Sequence, residues 1–254
     1  SEETDYDRPV HVKVPEGEGP FPVSIMLHGR GGTGARKLQS QRGMTDRIII
    51  APDGYNKGWS AQRPDVDFIR QIIKYIKTCK VTDGSNIAIH GASNGAGLLN
   101  QLMIELEADT FHYGISSIGG LGPDRHDGTN FLWDPTGKAN FDTPITPAKG
   151  RKWLQINGTE DKIIPYKGGK STLGFKVLPA QDTFYAWAVH MGEKGPKLPD
   201  SAGKAHPTNE KLIIYKYLNG NFIHVKGVGS GHGVRAKELK TIVKDFLSQP
   251  PMKN

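Results

Sequence analysis

The chain has 254 residues, of which 36% are hydrophobic and 8% aromatic, enough to bury a full core and too apolar for a disordered chain. Its formal net charge is +7, but lysines and arginines are spread along the whole chain and alternate with acids, so we expect no nucleic-acid-binding surface. No apolar run approaches the roughly 18 residues that span a bilayer, and Cys79 is the single cysteine, which excludes an intrachain disulfide and a cysteine-rich metal site.

Short apolar runs alternate with helical patterns, which predicts βαβ units around a mostly parallel sheet. The predicted strands are, in chain order, Val23–Leu27, Arg47–Ala51, Asn86–His90, Tyr113–Ile118, Lys152–Ile156, Lys211–Leu218 and Phe222–Val228. The last two are separated by Asn219-Gly220-Asn221, a hairpin signal.

Two segments carry an apolar stripe at helical spacing, one following Pro64-Asp65 and one ending at Pro250-Pro251. Residues 119–150 and 192–209 are rich in Gly and Pro, and we expect them to be long irregular loops. No composition break divides the chain, so the sequence predicts a single domain over residues 1–254.

The stretch Gly91-Ala92-Ser93-Asn94-Gly95 matches the pattern G-x-S-x-G. By itself this pentapeptide is a weak signal, because Gly and Ser are common in ordinary turns. Here it stands between a predicted strand and the helix-like segment GAGLLNQLMIEL, which is the junction that a nucleophile elbow requires. We therefore predict that Ser93 is a nucleophile on a tight turn.

A serine nucleophile needs a histidine base that is oriented by an acid, in the chain order Ser, acid, His. Of nine histidines, His232 fits best, because it follows the last predicted strand and precedes the last helix. Asp161, just after the strand Lys152–Ile156, is the predicted acid, and its neighbour Glu160 is the rival.

The oxyanion of a tetrahedral intermediate also needs hydrogen-bond donors, which we expect to be two backbone N–H groups. One belongs to Asn94, which follows the nucleophile, and the other to Arg30 in the glycine-rich loop HGRGG.

The same loop supports an alternative, an NAD(P)-binding oxidoreductase. Gly29 to Gly34 reads G-x-G-x-x-G, and Asp53 ends the next strand about twenty residues on.

Together, LHGRGG, APDG, HGASNGAG, NGTEDKIIPY and GSGHG resemble the polyhydroxybutyrate depolymerase and feruloyl-esterase-like branch of the α/β-hydrolases, including secreted esterases of the LpqC type. The resemblance covers residues 23–233. It implies an eight-stranded, mostly parallel sheet with helices on both faces and a serine esterase acting on polyesters or on feruloyl or acetyl polysaccharide esters. Family members usually carry an aromatic residue soon after the catalytic histidine, where this chain has Gly233-Val234, and many carry disulfides.

The remaining expectations concern ligands and location. Substrate contacts are expected from aromatic residues on the loops, namely Trp59, Phe131, Trp133 and Tyr166. We expect neither a metal nor a cofactor, and an ester, possibly polymeric, as the partner molecule. The family resemblance implies export, so a secreted or periplasmic protein is expected, with any signal peptide already removed. A binding protein with a degenerate site is the non-enzymatic alternative.

Overall fold

The computed structural model describes residues 7–60 and 63–252. Its strands are β1 (Val10–Lys13), β2 (Phe21–Leu27), β3 (Ile48–Pro52), β4 (Thr82–Ala92), β5 (Tyr113–Ser117), β6 (Phe131–Trp133), β7 (Thr143–Ile145), β8 (Lys152–Gly158), β9 (Gly169–Lys170), β10 (Lys176–Val177), β11 (Lys204–His206), β12 (Asn209–Tyr217) and β13 (Phe222–Gly227). Its α-helices are α1 (Gly34–Ser40), α2 (Arg63–Thr78), α3 (Asn94–Glu105), α4 (Ala180–His190) and α5 (Glu238–Ser248). Single 3₁₀ turns lie at Tyr55–Lys57, Asp200–Ala202 and Leu218–Gly220.

Nine strands form the main sheet, in the order β1-β3-β2-β4-β5-β8-β13-β12-β11. The six strands from β3 to β13 run parallel to their neighbours, whereas β1, β12 and β11 pair antiparallel at the two edges. The mostly parallel sheet confirms the fold class predicted from the sequence. The expected count of eight strands was wrong by one.

Both faces of the sheet are covered by helices, as the sequence predicts. On one face α2, α3 and α4 pack into a core that contains Val66, Leu98 and Trp187, each fully buried. On the other face α5 packs with Phe246, and α1 covers a smaller apolar patch. Burial on both faces explains why the central strands read as continuous apolar runs instead of alternating patterns.

The two stretches expected to be irregular contain some regular structure. Residues 119–150 hold the small antiparallel hairpin β6–β7, and residues 192–209 hold the 3₁₀ turn at Asp200–Ala202 and the edge strand β11. These elements are only three residues long, too short to produce a periodic pattern in the sequence.

The carboxyl ends of the parallel strands meet at one edge of the sheet, where α/β folds bind ligands. The loops that follow β2, β4, β5, β8 and β13 all begin there. These five loops include His28–Gly32, Ser93, Ile118, Asp161 and His232. The strand topology thus brings together residues that are far apart in the chain.

Candidate active site

Ser93 lies between β4 and α3 in a strained backbone conformation. Its φ of 51° and ψ of −114° are rare for any residue with a side chain and cost on the order of 1–3 kcal/mol. Its N–H donates to the carbonyl of Ser117 at 2.9 Å, and its hydroxyl does not cap the helix that follows. The hydroxyl is therefore not used by the helix and can form a hydrogen bond with another side chain.

The small residues around Ser93 are required by the closeness of the neighbouring backbone. A Cβ on Gly91 would lie 2.4 Å from the carbonyl oxygen of Gly95, and a Cβ on Gly95 would lie 2.6 Å from the carbonyl oxygens of Leu27 and His28. Neither contact is possible without displacing backbone. The glycines therefore allow the elbow to sit directly against the end of β2, as the sequence pattern predicts.

Ser93, His232 and Asp161 form a continuous chain of hydrogen bonds. The Oγ of Ser93 lies 2.8 Å from Nε2 of His232, and Nδ1 of His232 lies 2.8 Å from Oδ2 of Asp161. Because a carboxylate only accepts, Nδ1 carries the proton, and Nε2 of the neutral ring is left to accept the hydroxyl proton of Ser93. This is the tautomer that a general base needs.

Asp161 is buried, and both of its carboxylate oxygens accept hydrogen bonds. Its side chain is 0% exposed, and its Oδ1 accepts from the N–H groups of Ile163 and Ile164 at 2.8 and 2.9 Å. The rival Glu160 is exposed, and its own N–H donates to the carbonyl of Ser230 at 2.9 Å. The geometry therefore assigns the position of the third group to Asp161.

One predicted oxyanion donor, Asn94, directly follows Ser93, and the other, Arg30, belongs to the loop after β2. A Cβ on Gly29 would come within 3.6 Å of the Cβ of Ser93, so the loop after β2 passes directly beside the nucleophile. In that loop the N–H of Gly31 donates to Lys57 and the N–H of Gly32 to Gly29. Among the described residues, the N–H groups of Arg30 and Asn94 donate to no protein acceptor, so both are available to a ligand.

Trp59 connects the loop after β2 to the start of α3. It is 3% exposed, and its indole N–H donates to the carbonyl of His28 at 2.9 Å. The side-chain amide of Asn94 bonds both the N–H and the carbonyl of Trp59, each at 2.7 Å. Trp59 was expected to contact substrate. The contacts that the structure shows for Trp59 are with this loop and with Asn94, so the expected substrate contact stays a prediction.

The other three aromatic candidates are also committed to packing. Phe131 is 4% exposed and stacks on Trp187, with ring centroids 4.1 Å apart, and half-buried Trp133 packs against the same core. Tyr166 is 9% exposed, and its hydroxyl forms a 2.9 Å hydrogen bond with Nε2 of His224. The rings of Phe131 and Tyr166 are buried, as large aromatics often are, and their expected substrate contacts stay predictions.

Burial determines the charge states of His224 and Tyr166, which are bonded to each other next to the loop that follows Asp161. It lowers the pKa of His224 to about 3 and raises the pKa of the Tyr166 hydroxyl. Both groups are therefore neutral at physiological pH, and their hydrogen bond holds the loop without placing a second charge near Asp161.

Ile118 lies next to the candidate site and was not among the site residues predicted from the sequence. It follows β5 at the same edge of the sheet, one residue after the carbonyl that accepts from Ser93, and it is half-buried. Its φ is +48°, which is a genuine outlier for a β-branched residue. The sequence gives no direct signal of it, because the run Tyr113–Ile118 reads as ordinary strand.

The dinucleotide alternative receives no support from the geometry of its loop. Asp53, the residue expected to bind a ribose, accepts from the N–H of Gly34 at the start of α1 and lies 3.6 Å from His11. A Cβ on Gly34 would lie 2.0 Å from the carbonyl oxygen of Ala51. The glycines of this loop therefore serve helix–strand packing and the approach to Ser93.

The described residues show neither a cluster suited to a metal ion nor a helix suited to crossing a membrane. Between residues 7 and 60 and between 63 and 252, no three His, Cys, Asp or Glu side chains are grouped so as to hold a metal ion. In the same ranges no helix has the length and hydropathy needed to cross a membrane.

Comparison with known proteins identifies the fold. No protein-family model and no curated protein matches the chain. Among solved structures, an acetyl xylan esterase from Aspergillus awamori is similar, with a TM-score of 0.63 at 13% identity over 95% of this chain and 94% of that one. A thermophilic esterase from Thermogutta terrifontis has a TM-score of 0.58 at 13% identity, covering 97% and 88%. A phospholipase/carboxylesterase from Dyadobacter fermentans has a TM-score of 0.55 at 16% identity, covering 95% and 97%.

Proposed function

We propose that this protein, which has the α/β-hydrolase fold, is a serine hydrolase of carboxylic esters that acts through an acyl-serine intermediate. The observation that carries the proposal is the hydrogen-bonded chain Ser93–His232–Asp161 at the carboxyl edge of the sheet, with Ser93 on a strained elbow. Backbone strain that the surrounding fold maintains is typical of functional sites. The esterase neighbours support the same chemistry.

The reaction follows from the positions of the groups. His232 accepts the proton of Ser93 through Nε2 as Oγ attacks the ester carbonyl carbon. The negative charge moves to the carbonyl oxygen, which accepts hydrogen bonds from the N–H groups of Arg30 and Asn94. The N-terminal end of α3, where Asn94 stands, adds a favourable dipole.

The second half of the reaction reverses these roles. The intermediate collapses, the bond to the alcohol breaks, and the alcohol leaves with the proton of His232. Water then gives a proton to His232 and attacks the acyl-serine, which releases the acid and restores Ser93. Throughout, Asp161 holds the ring and stabilises the positive charge that His232 carries in each transition state.

For the substrate, we propose esters of a polymer, either a polyester of the hydroxyalkanoate type or a feruloylated or acetylated polysaccharide. The motifs shared with depolymerase and feruloyl-esterase-like enzymes support this class, and the acetyl xylan esterase among the structural neighbours supports the polysaccharide branch.

We also propose that the protein is exported, as the resemblance to depolymerases and feruloyl-esterase-like enzymes implies. Fractionation of its native cells with an antibody tests this, and a cytosolic location would overturn it.

The test of the proposed function compares the wild type with Ser93→Ala and with Ser40→Ala, an exposed serine on α1. Hydrolysis of p-nitrophenyl esters of increasing chain length, hydroxybutyrate oligomers and feruloylated sugars is measured. We expect Ser93→Ala to lose several orders of magnitude in turnover and Ser40→Ala to lose nothing. Wild-type rates in Ser93→Ala would end the esterase proposal.

A further inference from the structure

A lysine-rich hairpin stands next to the candidate active site. It comprises residues 162–177, begins one residue after Asp161, and is called the basic hairpin below. The N–H of Thr172 donates to the carbonyl of Lys162, and a Cβ on Gly120, two residues after Ile118, would meet Val177 at 3.0 Å. The base of the basic hairpin therefore packs against the same loops that carry the site.

The tip of the basic hairpin exposes two large apolar side chains. Leu173 is 64% exposed and Phe175 is 45% exposed. The backbone at the tip is held by hydrogen bonds from the N–H of Ser171 to the carbonyl of Phe175 at 2.7 Å and from the N–H of Gly174 to the carbonyl of Ser171 at 3.0 Å. Two exposed apolar side chains two residues apart on one hydrogen-bonded turn indicate a contact surface, whereas single exposed apolar residues are ordinary.

The charge of the basic hairpin is uniformly positive. It contains four lysines and no acidic residue, although Asp and Glu number 26 in the whole chain. All four are exposed, and in the described part of the chain none of them forms an ion pair. Two of them, Lys170 and Lys176, are direct cross-strand partners in β9 and β10. Like charges in that position destabilise a strand pair, and a bound anionic surface would relieve the repulsion.

We propose that the basic hairpin docks the protein on an anionic lipid surface, with Leu173 and Phe175 inserted among the acyl chains. Exposed apolar residues beside lysines are the combination that binds the interface of an anionic bilayer. An acidic polysaccharide would also attract the lysines, but it would leave Leu173 without a partner, because an aliphatic side chain offers no flat face for stacking on a sugar ring. Docking would hold the loops around Ser93 close to the lipid surface.

Sedimentation with lipid vesicles tests this proposal independently of ester hydrolysis. The protein carries Ser93→Ala, so that no ester is cleaved, and it is mixed with vesicles of phosphatidylcholine alone or of phosphatidylcholine and phosphatidylglycerol in equal amounts. We expect binding to the anionic vesicles and little to the neutral ones. Near an anionic surface each lysine contributes roughly fivefold in partitioning, so Lys170→Gln with Lys176→Gln should weaken binding roughly 25-fold.

Matched variants identify the surface that binds. Leu173→Ser with Phe175→Ser should also abolish most of the binding, whereas Tyr75→Ser and Lys74→Gln, both exposed on α2, should leave it unchanged. Circular dichroism establishes that each hairpin variant is folded. The same variants are also made with Ser93 intact, and their hydrolysis of p-nitrophenyl acetate provides a second check of folding. Absence of binding to anionic vesicles, equal losses in the α2 controls, or retention on a polygalacturonate column without vesicle binding would each overturn the proposal.

Discussion

Replacing Asp161 by asparagine is a sharp test, because the structure determines how the amide must lie. In the wild type, Oδ1 accepts from two N–H groups, those of Ile163 and Ile164, and Oδ2 accepts from Nδ1 of His232. An amide has one oxygen and one NH₂ group. Placing the NH₂ group at the Oδ1 position would bring it against two other donors, so the oxygen must occupy that position.

The NH₂ group of the variant therefore faces Nδ1 of His232. Since it can only donate, Nδ1 must give up its proton and act as the acceptor. The ring proton then resides on Nε2, which faces Ser93 at 2.8 Å in the wild type, and the base can no longer accept from the hydroxyl. Loss of the correct tautomer lowers turnover by about 10⁴-fold in serine hydrolases with such a triad, equivalent to about 5 kcal/mol of transition-state stabilisation.

The assay is turnover of p-nitrophenyl acetate by Asp161→Asn beside the matched control Glu160→Gln. We expect a loss of three to four orders of magnitude in the first and less than about tenfold in the second, because Glu160 is exposed. Nitrogen chemical shifts of the His232 ring should show the proton moving from Nδ1 to Nε2. A larger loss in Glu160→Gln, or near-normal rates in both variants, would refute the assignment.

Further predictions address the surrounding residues. Trp59→Phe removes the indole N–H that holds the oxyanion loop, so kcat should fall by roughly ten- to a hundredfold with KM nearly unchanged; a rise in KM alone would restore the substrate role. Tyr166→Phe should change KM less than about twofold, because the ring is buried. Ile118→Ala should shift the preferred acyl or alcohol length in the p-nitrophenyl and alkyl ester series, since a strained residue beside the nucleophile has a functional reason to be there; an unchanged profile would contradict this.

The positions of the candidate triad could be predicted because each residue stands at a recognisable junction in the chain. Ser93 lies between a strand and a helix, His232 follows the last parallel strand, and Asp161 follows β8. The carboxyl ends of parallel strands share one edge of the sheet, so sequence order alone places these residues close together. The choice of Asp161 over Glu160 was predicted from the apolar residues after it, and the structure shows two of their N–H groups bound to its carboxylate.

Side-chain direction could not be predicted in the same way. A loop aromatic such as Trp59 or Tyr166 has the same sequence signature whether it lines a pocket or fills the core, because the difference depends on residues distant in the chain. The backbone conformation of Ile118 could not be predicted either, since its positive φ lies at the end of a run that reads as ordinary strand. The edge strands β1 and β11 were not predicted because strands of four and three residues are too short to give a periodic pattern.

Trapping the acyl-enzyme tests the central claim most directly. The protein is mixed with p-nitrophenyl acetate, quenched in acid before turnover is complete, digested, and analysed by mass spectrometry. The proposed mechanism predicts one acetyl group, carried by Ser93, that is absent from Ser93→Ala and accumulates further in a variant slowed in deacylation. Release of p-nitrophenol with no acetyl group on Ser93, or with acetylation of another residue that persists in Ser93→Ala, would contradict it.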